Sequence, residues 1–260
     1  MRISLPVLAL KLPDRTATRG KLALCRTRLL RSALAYFMIC AALLAPSVAR
    51  AGWVDGGFES GAFAPNWNVA SYYNSSSGVA TFPPTKKSDL GLTVVTDNKL
   101  SSVVSTGIDL PSNYALSYPK WGNKAALLNM GGDSNRVSAI DQTVTMTAAD
   151  VDPADSKVHI RFAIAPVLQD PGHVPKNQPY YFVEVTNVSK GTQLFYNYHY
   201  ANQPGVPWKN GSGTGSEQYL YTDWQAFDIA PGNGILDVGD QVKLEIISAG
   251  CSQGGHEAHL

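Results

Sequence analysis

The clearest alternation of apolar and polar positions lies in residues 157–201 and predicts three consecutive β-strands. Side chains that alternate with a period of two occupy one face of a strand. The first run places Val158, Ile160, Phe162 and Ile164 on one face of its strand. The second run places Tyr181, Val183 and Val185 on one face. The third run places Leu194, Tyr196, Tyr198 and Tyr200 on one face. Gly191 lies in the turn between the second and third runs, which therefore form a predicted hairpin.

Similar short runs before and after this region predict further strands, whereas helix signals are scarce. The predicted strands cover residues 68–73, 79–82, 103–108, 125–130, 136–146, 220–229 and 241–249. Pro153 makes residues 147–155 a turn rather than a helix. Gln142 shares the apolar face of its strand, and we expect it to bind backbone groups of a loop. This pattern predicts an all-β fold, an antiparallel β-sandwich.

The first 51 residues differ from the rest and have the form of a secretory signal peptide. A basic region ends at Arg31, residues 33–46 are mostly apolar, and Ala49-Arg50-Ala51 fits a cleavage site. The apolar run is shorter than the roughly 20 residues of a membrane span, although an uncleaved N-terminal anchor is an alternative. We expect export by a bacterial cell, a secreted or cell-surface location, and one β-sandwich domain over residues 52–260.

Charge and cysteine content narrow the functions of this domain. The whole chain of 260 residues has a formal charge of +1, but the leader holds nine Lys or Arg and one acid. Residues 52–260 keep 12 basic and 19 acidic residues, a net charge of about −7, without a basic cluster larger than a pair. This argues against nucleic acid as a partner. Cys25 and Cys40 lie in the leader, so Cys251 has no partner for a disulfide within the domain.

A set of weak motifs in a fixed order resembles the β-jelly-roll modules of the galactose-binding-like class. These motifs are Gly56-Gly57-Phe58-Glu59, Trp67, and the segments 139–144, 223–228 and 240–246. The class includes carbohydrate-binding modules attached to bacterial secreted enzymes. The resemblance implies a jelly-roll topology with one more strand at residues 255–260. We expect that final strand to be truncated and further domains to follow in the parent protein.

The same resemblance implies a structural Ca²⁺ site near the start of the domain. Modules of this class use the glutamate of the opening Gly-Phe-Glu motif, which is Glu59 here, and Asp55 is close enough in sequence to contribute. Ca²⁺ takes six to eight hard oxygen ligands. The Asp that the class places on its closing strand is not matched, and two carboxylates that cap surface turns are the alternative.

A group of aromatic residues is the candidate ligand-binding site. Sugar rings stack on flat aromatic faces while their hydroxyl groups bind polar side chains. The candidate residues are Tyr180, Tyr196, Asn197, Tyr198, Tyr200 and Trp208. Because alternate strand positions must also fill the core, ordinary packing is the competing interpretation of these tyrosines.

The sequence predicts a non-catalytic domain. It has no Gly-x-Ser-x-Gly elbow and no phosphate-binding glycine loop. Glu184 and Glu245 are a conceivable carboxylate pair for glycoside hydrolysis, but their alternation with apolar residues favours solvent-facing positions. His173 has no nearby Cys or second His in the sequence, and the spacing of His256 and His259 differs from that of a zinc-peptidase helix. The preferred hypothesis is a carbohydrate-binding or adhesion module, and the alternative is a spacer domain without a ligand.

Overall fold

A computed structural model describes residues 52–96, 100–131 and 135–260, so the predicted leader lies outside the described residues. Apart from four short 3-10 segments (Lys87–Leu90, Ala148–Asp150, Pro175–Asn177 and Gly215–Glu217), the regular structure of this part is strand. The strands are β1 (Asn68–Tyr73), β2 (Thr93–Val95), β3 (Ser101–Ser105), β4 (Gly107–Asp109), β5 (Leu116–Tyr118), β6 (Lys124–Leu128), β7 (Arg136–Thr145), β8 (Val151–Asp152), β9 (Lys157–Val158), β10 (Ile160–Ile164), β11 (Val167–Gln169), β12 (Tyr180–Asn187), β13 (Thr192–Tyr200), β14 (Lys209–Asn210), β15 (Tyr219–Tyr221), β16 (Gln225–Ile229), β17 (Gln241–Ala249) and β18 (Ala258–His259).

The strands form an antiparallel β-sandwich, which confirms the predicted fold class. One layer is a six-stranded sheet in the order β13-β12-β17-β7-β1-β2. The other layer contains the β14-β15-β11-β18 sheet and the β10–β16 and β3–β6 pairs. Two backbone hydrogen bonds between Leu128 and Leu260, with N–O distances of 3.0 and 3.3 Å, connect the end of β18 to β6. In the described part of the chain, no helix is long and apolar enough to cross a membrane.

The main core lies between the two layers and follows the predicted alternation. Tyr181, Val183 and Val185 of β12 point into it, and their cross-strand partners on β17 are Ser248, Ile246 and Leu244. The prediction for Gln142 is confirmed. It points inward, accepts a hydrogen bond from Val54 N (2.7 Å) and donates to Asn66 O (2.8 Å), which attaches the segment before β1 to the sheet.

A second core covers the opposite, outer face of the six-stranded sheet. Residues 74–92, here called the cover segment, place Val79 and Leu90 against Tyr180 and Phe182 of β12. The first half of β12, the strand next to the edge strand β13, is therefore buried on both faces, and Tyr180, Tyr181, Phe182 and Val183 have no exposed surface. The cover segment is attached to the Pro175–Asn177 turn by a hydrogen bond of 2.9 Å from Val79 N to Lys176 O, and Gly78 passes close to that turn.

Some predicted strands are wrong or interrupted, in two cases because a backbone N–H bonds outside the ladder. Residues 79–82 form no strand, since Thr81 N donates within the cover segment to Asp89 O. The run that begins at residue 157 breaks at His159, whose N–H donates to Asp150 O at 2.9 Å. The predicted strand 220–229 is divided into β15 and β16.

The final strand is short and firmly held. β18 pairs with β11 through Ala258 and His259. The buried His259 side chain lies 2.7 Å, Nε2 to Oδ2, from the buried carboxylate of Asp109 at the end of β4. Because Asp109 also accepts a hydrogen bond from Ser112 N, at 2.6 Å, the carboxylate joins β18 to the loop after β4.

Candidate functional site

Three of the predicted ligand-binding tyrosines share the outer face of β13, which is the edge strand of the six-stranded sheet. Tyr196, Tyr198 and Tyr200 lie opposite Glu184, Phe182 and Tyr180 of β12. Tyr196 is 44% exposed, but Tyr198 is only 8% exposed and Tyr180 is fully buried. Tyr180 and Tyr198 therefore have almost no surface to offer a ligand, and for these two residues the competing interpretation, core packing, is correct.

The cover segment causes this burial. Phe82 lies against Tyr198 and Tyr200, with ring centroids 6.2 and 6.0 Å apart, and the Tyr180 and Tyr198 rings are 5.5 Å apart. Burial raises the pKa of the Tyr180 and Tyr198 hydroxyls well above the ordinary value, so both stay protonated. Phe82 itself is 42% exposed. We call Phe82, Tyr196 and Tyr200 the aromatic patch.

A fixed carboxylate lies beside the aromatic patch. Glu184, directly opposite Tyr196, accepts hydrogen bonds from Lys87 N at 3.1 Å and from Gln193 Nε2 at 2.7 Å. Gln193 also donates to Thr85 O at 2.7 Å, so the cover segment and β13 hold this carboxylate between them. The site thus combines an exposed aromatic ring with an oriented acceptor that has lone pairs to spare.

The second conceivable catalytic carboxylate, Glu245, is neutralised in a row of ion pairs. Glu245 lies between Glu184 and Asp141 on neighbouring strands and is 5% exposed, so the predicted solvent-facing position is wrong. Lys87 Nζ binds its Oε1 and Lys243 Nζ lies 3.3 Å from its Oε2. This pairing of both oxygens supports a structural role for Glu245.

Lys87 is the centre of this row. Its Nζ donates to the Tyr72 hydroxyl at 2.9 Å and lies 4.8 Å from the centre of that ring. Burial of Lys87 lowers its pKa, but the hydrogen bonds to Glu245 and Tyr72 outweigh this, and the pKa of Lys87 is raised. The charged lysine therefore attaches the cover segment to the sheet.

Two of the predicted residues, Asn197 and Trp208, lie away from the aromatic patch. Asn197 pairs with Val183, which points into the main core, so its side chain is on the inner face. Trp208 packs against the same core just before β14. Asn197 Oδ1 and Trp208 Nε1 are buried, and neither has a hydrogen-bond partner in the part of the chain that the structure describes. The structure divides the predicted set between two faces.

The predicted calcium ligands hold local structure through their own hydrogen bonds. Glu59 accepts bonds from Asn123 N (2.7 Å) and Asn123 Nδ2 (3.3 Å), and the bond from the Asn123 backbone lowers the pKa of Glu59. Asp55 accepts a hydrogen bond from the Ser60 hydroxyl. Within residues 52–96, 100–131 and 135–260, neither belongs to a cluster of three or more His, Cys, Asp or Glu side chains. Their oxygens supply only part of a Ca²⁺ shell.

The sequence interpretation missed two features. Phe82 stands in a loop before two prolines, and an aromatic residue in such a loop is a signal for exposure. The second is a cluster of His173, Cys251 and His256: no Cys or second His is near His173 in the sequence, but folding brings both beside it. His259 is not part of it, because its side chain is buried against Asp109.

The chain matches no protein-family model and no curated protein. Among solved structures it is similar to TmCBM61 in complex with β-1,4-galactotriose, at 16% identity, a TM-score of 0.38, and coverage of 80% of this chain and 92% of that one. It is also similar to a Stig cyclase, Fisc from Fischerella sp. TAU, in complex with a pyrrolidinylidene-indole, at 13% identity, a TM-score of 0.35, and coverage of 79% and 90%. These neighbours include a carbohydrate-binding module and an enzyme, so they do not decide between binding and catalysis.

Proposed function

We propose that this protein is a non-catalytic carbohydrate-binding module of a larger exported protein, and that the aromatic patch is its binding surface. The observation that carries the proposal is the exposed Tyr196 ring at the sheet edge, directly opposite the fixed carboxylate of Glu184. Tyr200, two residues beyond Tyr198 on the same face, and Phe82, whose ring centroid is 6.0 Å from that of Tyr200, extend the aromatic surface along the strand.

The chemistry of this surface matches that of a sugar. The C–H face of a pyranose stacks on an aromatic ring, and its hydroxyl groups require acceptors and donors at fixed positions. Within the described residues, each Glu184 oxygen accepts one hydrogen bond, from Lys87 N and from Gln193 Nε2. Each oxygen can therefore accept a further bond from a ligand hydroxyl. The patch lies on the outside of the sandwich, where a polymer chain can pass.

The test is binding of the exported protein to a panel of polysaccharides. We expect at least one polysaccharide to be retained, and Tyr196→Ala to weaken that binding by about tenfold or more, which corresponds to about 1.4 kcal/mol. The matched control is Tyr73→Ala, since Tyr73 is exposed to a similar extent but lies on β1, on the far side of the sheet. Binding that survives Tyr196→Ala and falls with Tyr73→Ala would contradict the location of the site.

A spacer domain without a ligand is the second candidate, and the burial of Tyr180 and Tyr198 favours it. Those two residues leave a smaller aromatic surface than the sequence predicted. If no polysaccharide is retained by a correctly folded protein, the spacer function is the one that stands.

We also propose export through cleavage of the leader after Ala51 and a structural Ca²⁺ at Glu59 with Asp55. Leader cleavage is tested by the N-terminal mass of the secreted protein, which should correspond to a start at Gly52.

The calcium site is tested by thermal unfolding with Ca²⁺ or with a chelator. Stabilisation by Ca²⁺ should disappear in Glu59→Gln and remain in Asp223→Asn, an exposed carboxylate elsewhere. A melting temperature that ignores the chelator would remove the calcium site.

A further inference from the structure

Two loops that are distant in sequence bring His173, Cys251 and His256 together at one end of the sandwich. One ligand atom from each residue lies within 4.8 Å of the others. Cys251 Sγ is 3.5 Å from His256 Nδ1, and the centroids of the two imidazole rings are 5.4 Å apart. Among the residues that the structure describes, no other group of three or more His, Cys, Asp or Glu side chains brings its ligand atoms this close together.

The distance between sulfur and nitrogen is the one that a bound zinc ion requires. Zn²⁺ lies about 2.3 Å from a thiolate and about 2.0–2.1 Å from an imidazole nitrogen, and a tetrahedral angle then separates the two ligand atoms by about 3.5 Å. Cys251 Sγ and His256 Nδ1 already stand at 3.5 Å. His173 is close enough to become the third zinc ligand after a rotation of its side chain.

The backbone holds both loops in place without a metal. Cys251 N donates to His256 O at 3.0 Å and closes the turn that carries two of the three residues. Ser252 N donates to Asn177 O at 3.2 Å, which fastens this turn to the loop of His173. Little rearrangement is therefore needed to form the site, and a preformed site favours binding.

Polar groups around the cluster also fit a metal site. His173 Nε2 is buried and has no hydrogen-bond partner in the described part of the chain. On the other side of the cluster, His256 Nε2 lies 3.9 Å from Glu217 Oε1, and Gln169 holds the second oxygen of Glu217 at 3.0 Å. A carboxylate beside the free nitrogen of a ligating histidine is the usual outer partner of a zinc ligand.

We propose that His173, Cys251 and His256 bind one Zn²⁺ ion, with a water molecule in the fourth position. Thiolate and imidazole donors are the set that zinc prefers, while hard ions such as Ca²⁺ and Mg²⁺ prefer oxygen. On binding, the Cys251 thiol gives its proton to solvent and its sulfur exchanges the hydrogen bond to Gly254 O, at 3.2 Å, for the bond to zinc. The site is independent of the proposed sugar surface.

The experiment measures Zn²⁺ and Co²⁺ binding to the exported protein in the reduced state. We expect one Zn²⁺ per chain by native mass spectrometry, and a thiolate-to-metal charge-transfer band when Co²⁺ replaces it. Cys251→Ser should abolish the band, and His173→Ala should weaken binding by at least about tenfold. Glu217→Gln should weaken it by about tenfold, since Glu217 acts through His256. The control is His199→Ala, a histidine of β13 outside the cluster.

Several results would overturn the proposal. They are the absence of a charge-transfer band, unchanged zinc affinity in His173→Ala, an equal loss in His199→Ala, or binding of copper(I) alone. His173 lies in a partly exposed loop, so His173→Ala tests the site even if Cys251→Ser, at a buried position, does not fold.

Discussion

The two faces of the six-stranded sheet are built in different ways. The inner face is mainly apolar around Val183, Ile246 and Ile140, and it packs against the second layer. The outer face is apolar only where the cover segment lies on Tyr180 and Phe182. Beside this apolar part, the outer face carries the row of ion pairs around Glu245. The aromatic patch lies at the edge of the same face.

This difference shows which part of the sheet is free to carry a function. The inner face cannot change without loss of the fold, because its side chains fill the space between the layers. The outer face is packed only under the cover segment and ends in an open edge strand, and the proposed sugar surface lies where the two meet. Stability and binding should therefore separate when the two faces are mutated.

The largest expected effect tests whether the outer core is as well packed as the inner one. We expect Phe182→Ala to lower the free energy of unfolding by about 3–5 kcal/mol, and Leu244→Ala on the inner face to lower it by about 2–5 kcal/mol, because each leaves a cavity. Denaturant unfolding measures both. A loss below about 1 kcal/mol for Phe182→Ala alone would mean that the cover segment is loose, and the comparison of the faces would fail.

The next effect concerns the charge that fastens the cover segment. Lys87→Ala leaves Glu245 with Lys243 as its remaining cation, and we expect a loss of about 1–3 kcal/mol in the free energy of unfolding. A double-mutant cycle with Glu245→Gln isolates the pair. A coupling energy near zero would show that Lys87 acts only through packing.

Alkaline pH should weaken the outer face more than the inner one. The pKa of Lys87 is raised in the folded state, so its contribution is complete below the unfolded pKa of about 10.4 and is lost as pH rises through the folded pKa. Denaturant unfolding measured below and above this pH range should show that the free energy of unfolding falls with rising pH. The fall should be smaller in Lys87→Met than in the unchanged protein. Parallel pH profiles for the two proteins would contradict the assignment.

The smallest effect on stability should come from the residue with the largest effect on binding. Tyr196→Ala removes an exposed side chain, and we expect the free energy of unfolding to change by no more than about 0.5 kcal/mol. Tyr198→Ala, two residues further on the same face, should cost about 3–5 kcal/mol, by analogy with other buried aromatic residues. Thermal unfolding of the two variants distinguishes a surface residue from a core residue on one strand.

The fold could be predicted from sequence because the inner face obeys a simple alternation. Strands Asn68–Tyr73 and Gln241–Ala249 have the predicted bounds, and Gln142 has the predicted role. The outer core could not be predicted in this way. On β12 the outer core buries Tyr180 and Phe182, which alternate with Tyr181 and Val183 of the inner core, so all four positions are apolar and alternation does not distinguish the two faces.

The site was less predictable, because it depends on contacts between segments far apart in the chain. The alternation correctly placed Tyr196, Tyr198 and Tyr200 on one face, but the cover segment decided which of them reach solvent. Asn197 stands between Tyr196 and Tyr198, so the same alternation already indicates the opposite face for it. The approach of Cys251 to His173 is different, because no local pattern records a contact between loops so far apart in the chain.

The close approach of the cover segment to the Pro175–Asn177 turn requires a residue without a side chain at position 78. A β-carbon at Gly78 would lie 2.1 Å from Asn177 Oδ1 and 2.4 Å from the backbone oxygen of Lys176, and the backbone there has a φ of +81°. Alanine at this position would push the cover segment away from the Pro175–Asn177 turn at the point where Val79 N bonds to Lys176 O. Because Asn177 O also accepts the bond from Ser252 N, one added methyl group would disturb both the cover over the outer face and the loop contact beside the cysteine–histidine cluster.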